Sequence, residues 1–333
     1  MRKLFKGLVW IVAGLAIVAL GATAVARIIA GRKYNTHWQT HEVSFPIPFP
    51  LTAAELEMLR AERLAAGAAM ADPLAGVDLQ ALALSRAVRR GEHLVKTRVG
   101  CNGCHGPDMG GKVLIDQTLV GHWAAPNLTR GAGSVTRDFT AADWDRAIRH
   151  GVRHTGQSSS MPSIEFVNLS DHELSDIVAY VQSRPAVDRT QKAIGIGPLF
   201  SYVVAFNPDI LLAFAIDHDK PHAAEPPVEA ASVELGEHIA QVCKGCHTAN
   251  LSGGKVAGDP NMPIVANITP HETGLKGWTE ADFIRALREG KRKDGTDILP
   301  QMPWKAYGQM SDVELKALWA YLETVPAVDK GKR

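Results

Sequence analysis

The chain begins with a short basic segment followed by a long apolar one. Arg2, Lys3 and Lys6 precede Leu8 to Ala26, a run of 19 residues without a charged side chain. Roughly 20 apolar residues cross a bilayer as a helix, and basic residues at one end favour the cytoplasmic side. The pattern predicts a signal or a transmembrane anchor over residues 1–32, with the chain that follows on the far side of the membrane.

Two outcomes are open for this segment. Ala22-Thr23-Ala24 and Ala24-Val25-Ala26 both contain the small residues that signal peptidase requires, and cleavage there would leave a soluble periplasmic protein. The apolar run is longer than the roughly 7–15 residues of a cleaved signal, which favours a retained anchor. We therefore expect a single-pass protein of the cell inner membrane whose other residues lie in the periplasm.

Residues 33–82 predict an extended spacer followed by a helical segment. Alternating prolines between Phe45 and Pro50 force an extended backbone, as in a spacer between a membrane and a soluble part. Thr52-Ala53-Ala54-Glu55 has the form of a capping box, which begins a helix. His37 and His41 are four positions apart and could be metal ligands on one helical face. We interpret them instead as part of an aromatic and polar segment at the membrane interface.

Most of the remaining chain is an internal repeat. Four segments of the first half recur in the second: Arg90–Leu94 and Leu235–Ile239, Pro126–Thr129 and Ala266–Thr269, Phe139–Gly151 and Trp278–Gly290, Leu169–Asp188 and Met310–Asp329. Capping residues begin the predicted helices, apolar residues recur at helical spacing, and glycine or proline ends them. The pattern predicts an all-α fold with two similar domains, at residues 83–190 and 231–330, joined by a linker at 191–230.

Each half contains a pair of cysteines followed directly by a histidine. The two motifs are Cys101-Asn102-Gly103-Cys104-His105 and Cys243-Lys244-Gly245-Cys246-His247. This is the attachment pattern of c-type haem, in which both thiols add to the porphyrin and the histidine binds the iron. Redox dithiols, structural disulfides and a zinc site made of both pairs are alternatives, but the pairs are 142 residues apart, too far for an ordinary two-pair zinc site. The motifs predict two covalently attached haem c groups, with Cys101, Cys104, Cys243 and Cys246 as attachment sites and His105 and His247 as iron ligands.

Methionine is the usual second axial ligand of an electron-transfer haem. Met161 follows His105 by 56 residues and Met302 follows His247 by 55, and both precede a proline in a predicted loop. The repeat aligns Met109 with Leu251 and Met310 with Leu169, so those positions do not require sulfur. We therefore predict Met161 and Met302 as the distal iron ligands; the alternative is that both fill gaps in the packing.

The last helix of each half is predicted to be amphipathic. Its apolar residues line one face, which we expect to pack on the helix that leads into the haem motif of the same half. These residues are Leu174, Ile177, Val178 and Val181 in the first half, and Leu315, Leu318, Trp319 and Leu322 in the second. His93 and His238 recur before the two motifs, and we assign them a role on a helix face rather than as ligands, because His105 and His247 already fill the proximal positions.

Composition excludes several other classes of protein. The formal net charge is only +1 over 333 residues, so no nucleic-acid partner is indicated. The sequence contains no phosphate-binding glycine loop and no HExxH zinc motif.

The halves resemble class I cytochrome c domains. The resemblance lies in CNGCH with Met161 and CKGCH with Met302, and covers about Leu84 to Asp188 and Val233 to Asp329. It implies a helical haem-binding fold in each half, with Met161 and Met302 as distal ligands. The arrangement is similar to dihaem electron carriers and to the cytochrome subunits of membrane-bound alcohol dehydrogenases, although those subunits have three haem motifs and this chain has two.

The linker contains an apolar stretch, Phe200 to Ile216, interrupted by Asn207, Pro208 and Asp209. A second transmembrane segment there would put the two haem motifs on opposite sides of the membrane. We therefore predict a strap that packs on one or both domains, followed by a solvent-exposed segment, Asp217-His218-Asp219-Lys220.

Three functions compete for this chain. The first is a dihaem electron carrier, not an enzyme, which passes single electrons from a donor dehydrogenase or quinol oxidase to an acceptor oxidase or cytochrome. The second is the haem-bearing subunit of a dehydrogenase complex, which differs only in having a permanent catalytic partner. The third is a dihaem peroxidase, which needs an open iron position and is disfavoured by methionine ligands in both halves.

Overall fold

The protein is mostly helical, and in addition it contains a small sheet that the all-α prediction omits. The computed structural model describes residues 2–67, 71–207, 211–255 and 263–332. Over these residues the helices are α1 (Arg2–Tyr34), α2 (Ala53–Ala65), α3 (Leu79–Leu94), α4 (Cys101–His105), α5 (Ala141–Ile148), α6 (Asp171–Ser183), α7 (Pro198–Phe206), α8 (Val233–His247), α9 (Glu280–Glu289), α10 (Trp304–Tyr307) and α11 (Asp312–Thr324). The antiparallel strands are β1 (Lys112–Gln117), β2 (Gly121–Ala125) and β3 (Gly195–Ile196), in the order β1-β2-β3.

The chain divides into two compact units. The first unit contains Met1–Glu42, Cys104–Val167 and Ala186–Pro221. The second contains Val43–Gly103, Asn168–Pro185 and His222–Arg333. The second unit therefore includes α3 and α6 of the first half together with the helices of the second half.

In the second unit, the last helix of each half packs on its haem-motif helix, as the apolar faces predict. α6 packs on α3 and α11 packs on α8. A glycine at each crossing allows the close approach: a Cβ on Gly91 would lie 1.9 Å from the Asp176 carbonyl oxygen, and one on Gly236 would lie 1.9 Å from that of Ala317. No larger residue fits at either position without moving a helix.

The two haem-motif helices differ in one respect. α8 continues without a break through Cys243 to His247, whereas α3 ends at Leu94 and is followed by a π-helical turn, Val95–Val99, before α4 begins. Gly91 lies ten positions before Cys101, but Gly236 lies only seven before Cys243. The π turn, closed by Gly100 at φ 61°, accommodates the three extra residues of the first half.

The chain from Val43 to α3 is part of the second unit instead of forming a free spacer. Phe49 stacks on His172 with ring centroids 4.7 Å apart, and the Ser175 hydroxyl donates to the Pro46 carbonyl at 2.8 Å. α2 begins at the predicted capping box, and the Glu55 carboxylate also binds Arg86 at 3.2 Å. The prolines give the predicted extended backbone, but polar contacts with α6 hold the segment against the protein.

In the first unit, α1 packs on α7. Ala26, Ala30 and Tyr34 are buried, the Thr23 and Tyr202 hydroxyl oxygens are 2.7 Å apart, and Lys33 Nζ donates to the Ala205 carbonyl at 2.7 Å. The apolar stretch of the linker forms a strap, but in this unit α7 packs on α1, whereas the prediction named only the haem domains as its partners. Pro208 and Asp209 lie outside the described residues.

Residues 37–41 are extended, so His37 and His41 do not share a helical face. The Trp38 amide donates to the Gly156 carbonyl at 2.9 Å and its indole N–H donates to the Ser158 hydroxyl at 2.8 Å. The prediction of an exposed 217–220 segment is wrong for His218, which is buried against Trp38. Tertiary contacts within the first unit override the polar local sequence.

Candidate haem sites

The two CxxCH motifs have the same local structure. Each motif lies in a helical turn, so its two cysteines, three positions apart, share one face. The first cysteine of each pair is partly buried and the second is exposed. The histidine directly follows the second cysteine, so one short stretch of helix presents both thiols and the imidazole.

Hydrogen bonds fix the orientation of both motif histidines. Nδ1 of His105 lies 2.9 Å from the Pro126 carbonyl oxygen, and Nδ1 of His247 lies 2.8 Å from that of Ala266. A carbonyl only accepts, so Nδ1 has the proton and Nε2 has the lone pair. Burial lowers the pKa of both histidines, which favours the neutral form that binds a metal.

An asparagine network supports the carbonyl partner in each half. Asn127 Oδ1 accepts from the Thr129 amide at 2.9 Å, and Asn127 Nδ2 donates to the Val187 carbonyl at 2.6 Å. Asn267 makes the equivalent bonds to Thr269 at 2.9 Å and Val328 at 2.7 Å. These two segments recur in the sequence, but the sequence alone does not indicate their role. Their recurrence was the available signal, and the structure shows that they tie the proximal histidine loop to the end of each half.

Met161 and Met302 lie in the same kind of turn. The Ser163 amide donates to the Met161 carbonyl at 2.8 Å, and the Trp304 amide donates to the Met302 carbonyl at 2.7 Å. The intervening prolines have φ and ψ of −75° and 55° in the first half and −79° and 50° in the second, which is close to an inverse γ-turn. Both methionine side chains are partly buried.

Met109 and Met310 are packing residues. Met109 and Leu251 are both 1% exposed, with similar left-handed φ values of 57° and 64°. Met310 is 1% exposed and its counterpart Leu169 is 5% exposed. Equal burial of methionine and leucine at equivalent positions agrees with a role in the core.

This donor set fits haem c. Two thiols on one helical face, an imidazole with its Nε2 lone pair oriented by a backbone carbonyl, and a partly buried thioether in a proline-stiffened turn occur in both halves. Groups of these kinds attach the porphyrin and ligate its iron from both sides in c-type cytochromes.

Comparison with known families agrees with this donor set. Residues 86–181 match the family model "Cytochrome C oxidase, cbb3-type, subunit III", and residues 233–326 match the model "Cytochrome c". The chain therefore contains two cytochrome c-type domains in tandem. It binds two covalent haem c groups, and the cytochrome c-type domains support a role in electron transfer.

Several relatives are cytochrome subunits of dehydrogenases. The chain is 36% identical over 116 residues to the cytochrome c subunit of alcohol dehydrogenase (quinone) from Gluconobacter oxydans (strain 621H), covering 32% of this chain and 24% of that protein. It is 40% identical over 102 residues to the fructose dehydrogenase cytochrome subunit of Gluconobacter japonicus, covering 28% of this chain and 21% of that protein. These matches span about a quarter of each relative's length.

A more extended match has lower identity. A protein described as "Diheme cytochrome c-type" from Cereibacter sphaeroides (strain ATCC 17023) is 25% identical over 255 residues, which covers 69% of this chain and 83% of that protein. The match is longer than either family-model region.

Proposed function

We propose that the chain is a membrane-anchored dihaem electron carrier and not an enzyme. In this proposal Cys101 and Cys104 attach the first haem and Cys243 and Cys246 the second. The axial ligands are His105 with Met161, and His247 with Met302.

One observation mainly supports the proposal: both halves present the same two axial donors in the same local geometry. Each proximal histidine donates Nδ1–H to a backbone carbonyl, and each candidate distal methionine precedes a proline in the same turn. A haem with two protein ligands supplies a one-electron couple with no open position for a substrate. The protein residues then hold both sides of the ring in place, which keeps the geometry similar in the two oxidation states.

The proposed domain limits follow the repeat. We assign residues 1–32 to the anchor, 33–82 to the segment that precedes the haem domains, 83–190 and 231–330 to the two cytochrome domains, and 191–230 to the linker. Both family-model matches, 86–181 and 233–326, fall inside the proposed cytochrome domains.

We propose that α1 is retained as a single transmembrane helix with the haem domains in the periplasm. Among the described helices α1 alone is long and apolar enough to cross a membrane, from Phe5 to Tyr34. Its C-terminal third is also part of the folded first unit: Ala30 and Tyr34 pack with Val204 of α7, and Ala26 is buried. Cleavage after Ala24 or Ala26 would separate this packed end from the apolar run.

The anchor has a direct test. Membranes washed with carbonate should retain the protein and detergent should release it, and its N-terminus should be intact. Recovery from the soluble periplasmic fraction, with a new N-terminus close to Arg27, would contradict the anchor and leave the electron-carrier proposal untouched.

The partners are proposed from the class of the relatives. A donor dehydrogenase or quinol oxidase and an acceptor oxidase or cytochrome are consistent with an electron carrier. Because several relatives are dehydrogenase cytochrome subunits, the second candidate is a stable subunit of such a complex. Purification from native membranes in mild detergent distinguishes the two, since only a complex subunit co-elutes with a dehydrogenase in fixed stoichiometry.

Carbon monoxide distinguishes the carrier from a dihaem peroxidase. If both irons have two protein ligands, the reduced protein should be low-spin at both haems and bind carbon monoxide slowly or not at all. Immediate binding at one haem, together with turnover of hydrogen peroxide, would replace the carrier by a peroxidase for that half.

A further inference from the structure

The first half contains a buried polar cluster that the second half lacks. Asp145, Arg149 and His150, at the end of α5, are fully buried. The equivalent residues in the second half are Ile284, Arg288 and Glu289; Glu289 is exposed, and Arg288 pairs with Asp312 on the surface. Since the second half folds without the cluster, a cytochrome domain does not need it, and its residues serve a purpose specific to the first half.

Residues outside the haem repeat complete this cluster within the first unit. The extended segment after α1 brings His41 to the end of α5, where the His41 and His150 rings have centroids 5.2 Å apart. One ring nitrogen of His41, one of His150 and one carboxylate oxygen of Asp145 all lie within 4.8 Å of one another. Two imidazoles and a carboxylate at such distances can contact a single ion.

His218 orients both histidines. Its carbonyl oxygen lies 3.2 Å from His41 Nδ1, so His41 has its proton on Nδ1 and its lone pair on Nε2. The ring of His218 donates from Nε2 to the Ala213 carbonyl at 2.9 Å. With its proton on Nε2, the neutral ring of His218 has its lone pair on Nδ1, which can only accept. His150 Nδ1, 3.0 Å away, is therefore the donor to His218.

This assignment leaves the Nε2 lone pair of His150 directed at a carboxylate. His150 Nε2 lies 3.3 Å from Asp145 Oδ2, and the other oxygen of Asp145 accepts from Arg149 Nε at 2.6 Å. A lone pair and a carboxylate oxygen at this distance can share one cation. The cation is either a proton on His150 or a metal ion.

We propose that His41, Asp145 and His150 bind a divalent metal ion of the zinc class. Two imidazoles and one carboxylate are a ligand set that zinc accepts, with at least one position left for a further donor. Ligating histidines usually donate their other N–H to a fixed acceptor, and ligating carboxylates are themselves hydrogen-bonded. His218 provides both acceptors and Arg149 provides the bond to the carboxylate. A bound ion would fasten the segment after α1 to the end of α5, where the chain leading to Met161 begins.

Zinc binding tests the proposal on the full-length holoprotein in detergent. After treatment with EDTA and dialysis, the protein should take up one zinc per chain in addition to its two irons, measured by elemental analysis. Absorption at the zinc edge should show two imidazole ligands and a carboxylate oxygen. His41→Gln and His150→Gln should each abolish this uptake. His37→Gln and Glu289→Gln are the matched controls and should leave it unchanged.

A second variant guards against loss of the fold. His218→Phe retains the backbone carbonyl that orients His41 and removes the ring that orients His150, so zinc affinity should fall about 10- to 100-fold. An unchanged haem spectrum shows that a variant is folded. His41 lies outside the haem repeat, so its substitution leaves the repeated domains unaltered. Absence of a bound zinc in the wild type, or equal binding by wild type and His41→Gln, overturns the proposal and assigns the cation to a proton on His150.

Discussion

His93 Nε2 lies 2.7 Å from Glu314 Oε2, and this contact joins the two halves of the repeat. The opposite contact also exists: His238 Nε2 lies 2.9 Å from both carboxylate oxygens of Glu173. Each histidine is on the haem-motif helix of one half and each glutamate begins the last helix of the other, all within the second unit. Both histidines lie on a helix face, as their recurrence before the two motifs predicts, and each contacts a glutamate of the other half.

Each glutamate has two functions. Glu173 and Glu314 are the third residues of their helices and accept from the amides of Ser170 and Ser311 in capping boxes. Glu173 also binds Arg98 at 3.1 Å, with both side chains buried. Burial alone would raise the pKa of Glu173, but the bonds from His238 and Arg98 outweigh it and lower the pKa to about 2. The same carboxylate therefore caps a helix and fixes the interface between the halves.

The His93 contact should depend on pH. Its hydrogen bond to Glu314 raises the pKa of His93 above the ordinary value of 6.5. The stabilisation is thus complete below about pH 6.5 and is lost as pH rises through the folded-state pKa. We expect the difference in melting temperature between wild type and His93→Gln to be largest near pH 6 and to shrink towards about pH 8. A difference independent of pH would mean that the neutral imidazole makes the contact.

Removal of the Glu173 charge should be costly. Glu173→Gln leaves Arg98 buried beside a neutral group, and breaking a buried ion pair in this way costs about 3–5 kcal/mol in the free energy of unfolding. The wild-type contribution of Glu173 is present above about pH 4.5 and is lost as pH falls towards about 2, because its folded-state pKa is lowered. Glu92→Gln is the control, since its partner Lys96 is half exposed, and it should cost less than about 1 kcal/mol. Equal losses for the two variants in urea unfolding would contradict this interpretation.

The helix crossings should tolerate no added methyl group. Gly91→Ala and Gly236→Ala place a Cβ within 1.9 Å of a carbonyl oxygen on the packed helix, so each should destabilise the protein by about 1–3 kcal/mol or more. Gly31→Ala, in α1, meets nothing within 4 Å and should be neutral or slightly stabilising because alanine favours a helix. Denaturant unfolding of the three variants tests the crossings, and equal stability of Gly91→Ala and Gly31→Ala would refute the close approach.

The features that sequence predicts well here are local or repeated. Capping boxes at Thr52, Ser170 and Ser311 act over three residues, and the helices begin where those boxes predict. The repeat also separated Met161 and Met302 from Met109 and Met310, which the structure places in turns and in buried positions respectively.

The features that sequence misses depend on distant partners. His93 and Glu314 are 221 positions apart, so only packing brings them together. His218 lies between two aspartates and is predicted to be exposed, yet Trp38 and His150 bury it. The sheet pairs β2 with a two-residue strand in the linker, and so short a strand has no recognisable alternation of polar and apolar residues.

The final prediction tests the proposed distal ligands one haem at a time. Met161→Ala should open a coordination position at the first haem only, and Met302→Ala at the second only, so each variant should bind carbon monoxide at one haem. Loss of the thioether removes the ligand that raises the potential. The potential of the affected haem should fall on the order of 0.1 V, within the roughly 0.8 V range that axial ligands set.

Met109→Leu and Met310→Leu are the controls, because leucine occupies the equivalent buried position in the other half. Both variants should keep the wild-type spectrum and potentials. If Met109→Leu opened a coordination position at the first haem and Met161→Ala did not, Met109 would be the distal ligand. The similar turns at Met161 and Met302 would then not indicate iron ligation.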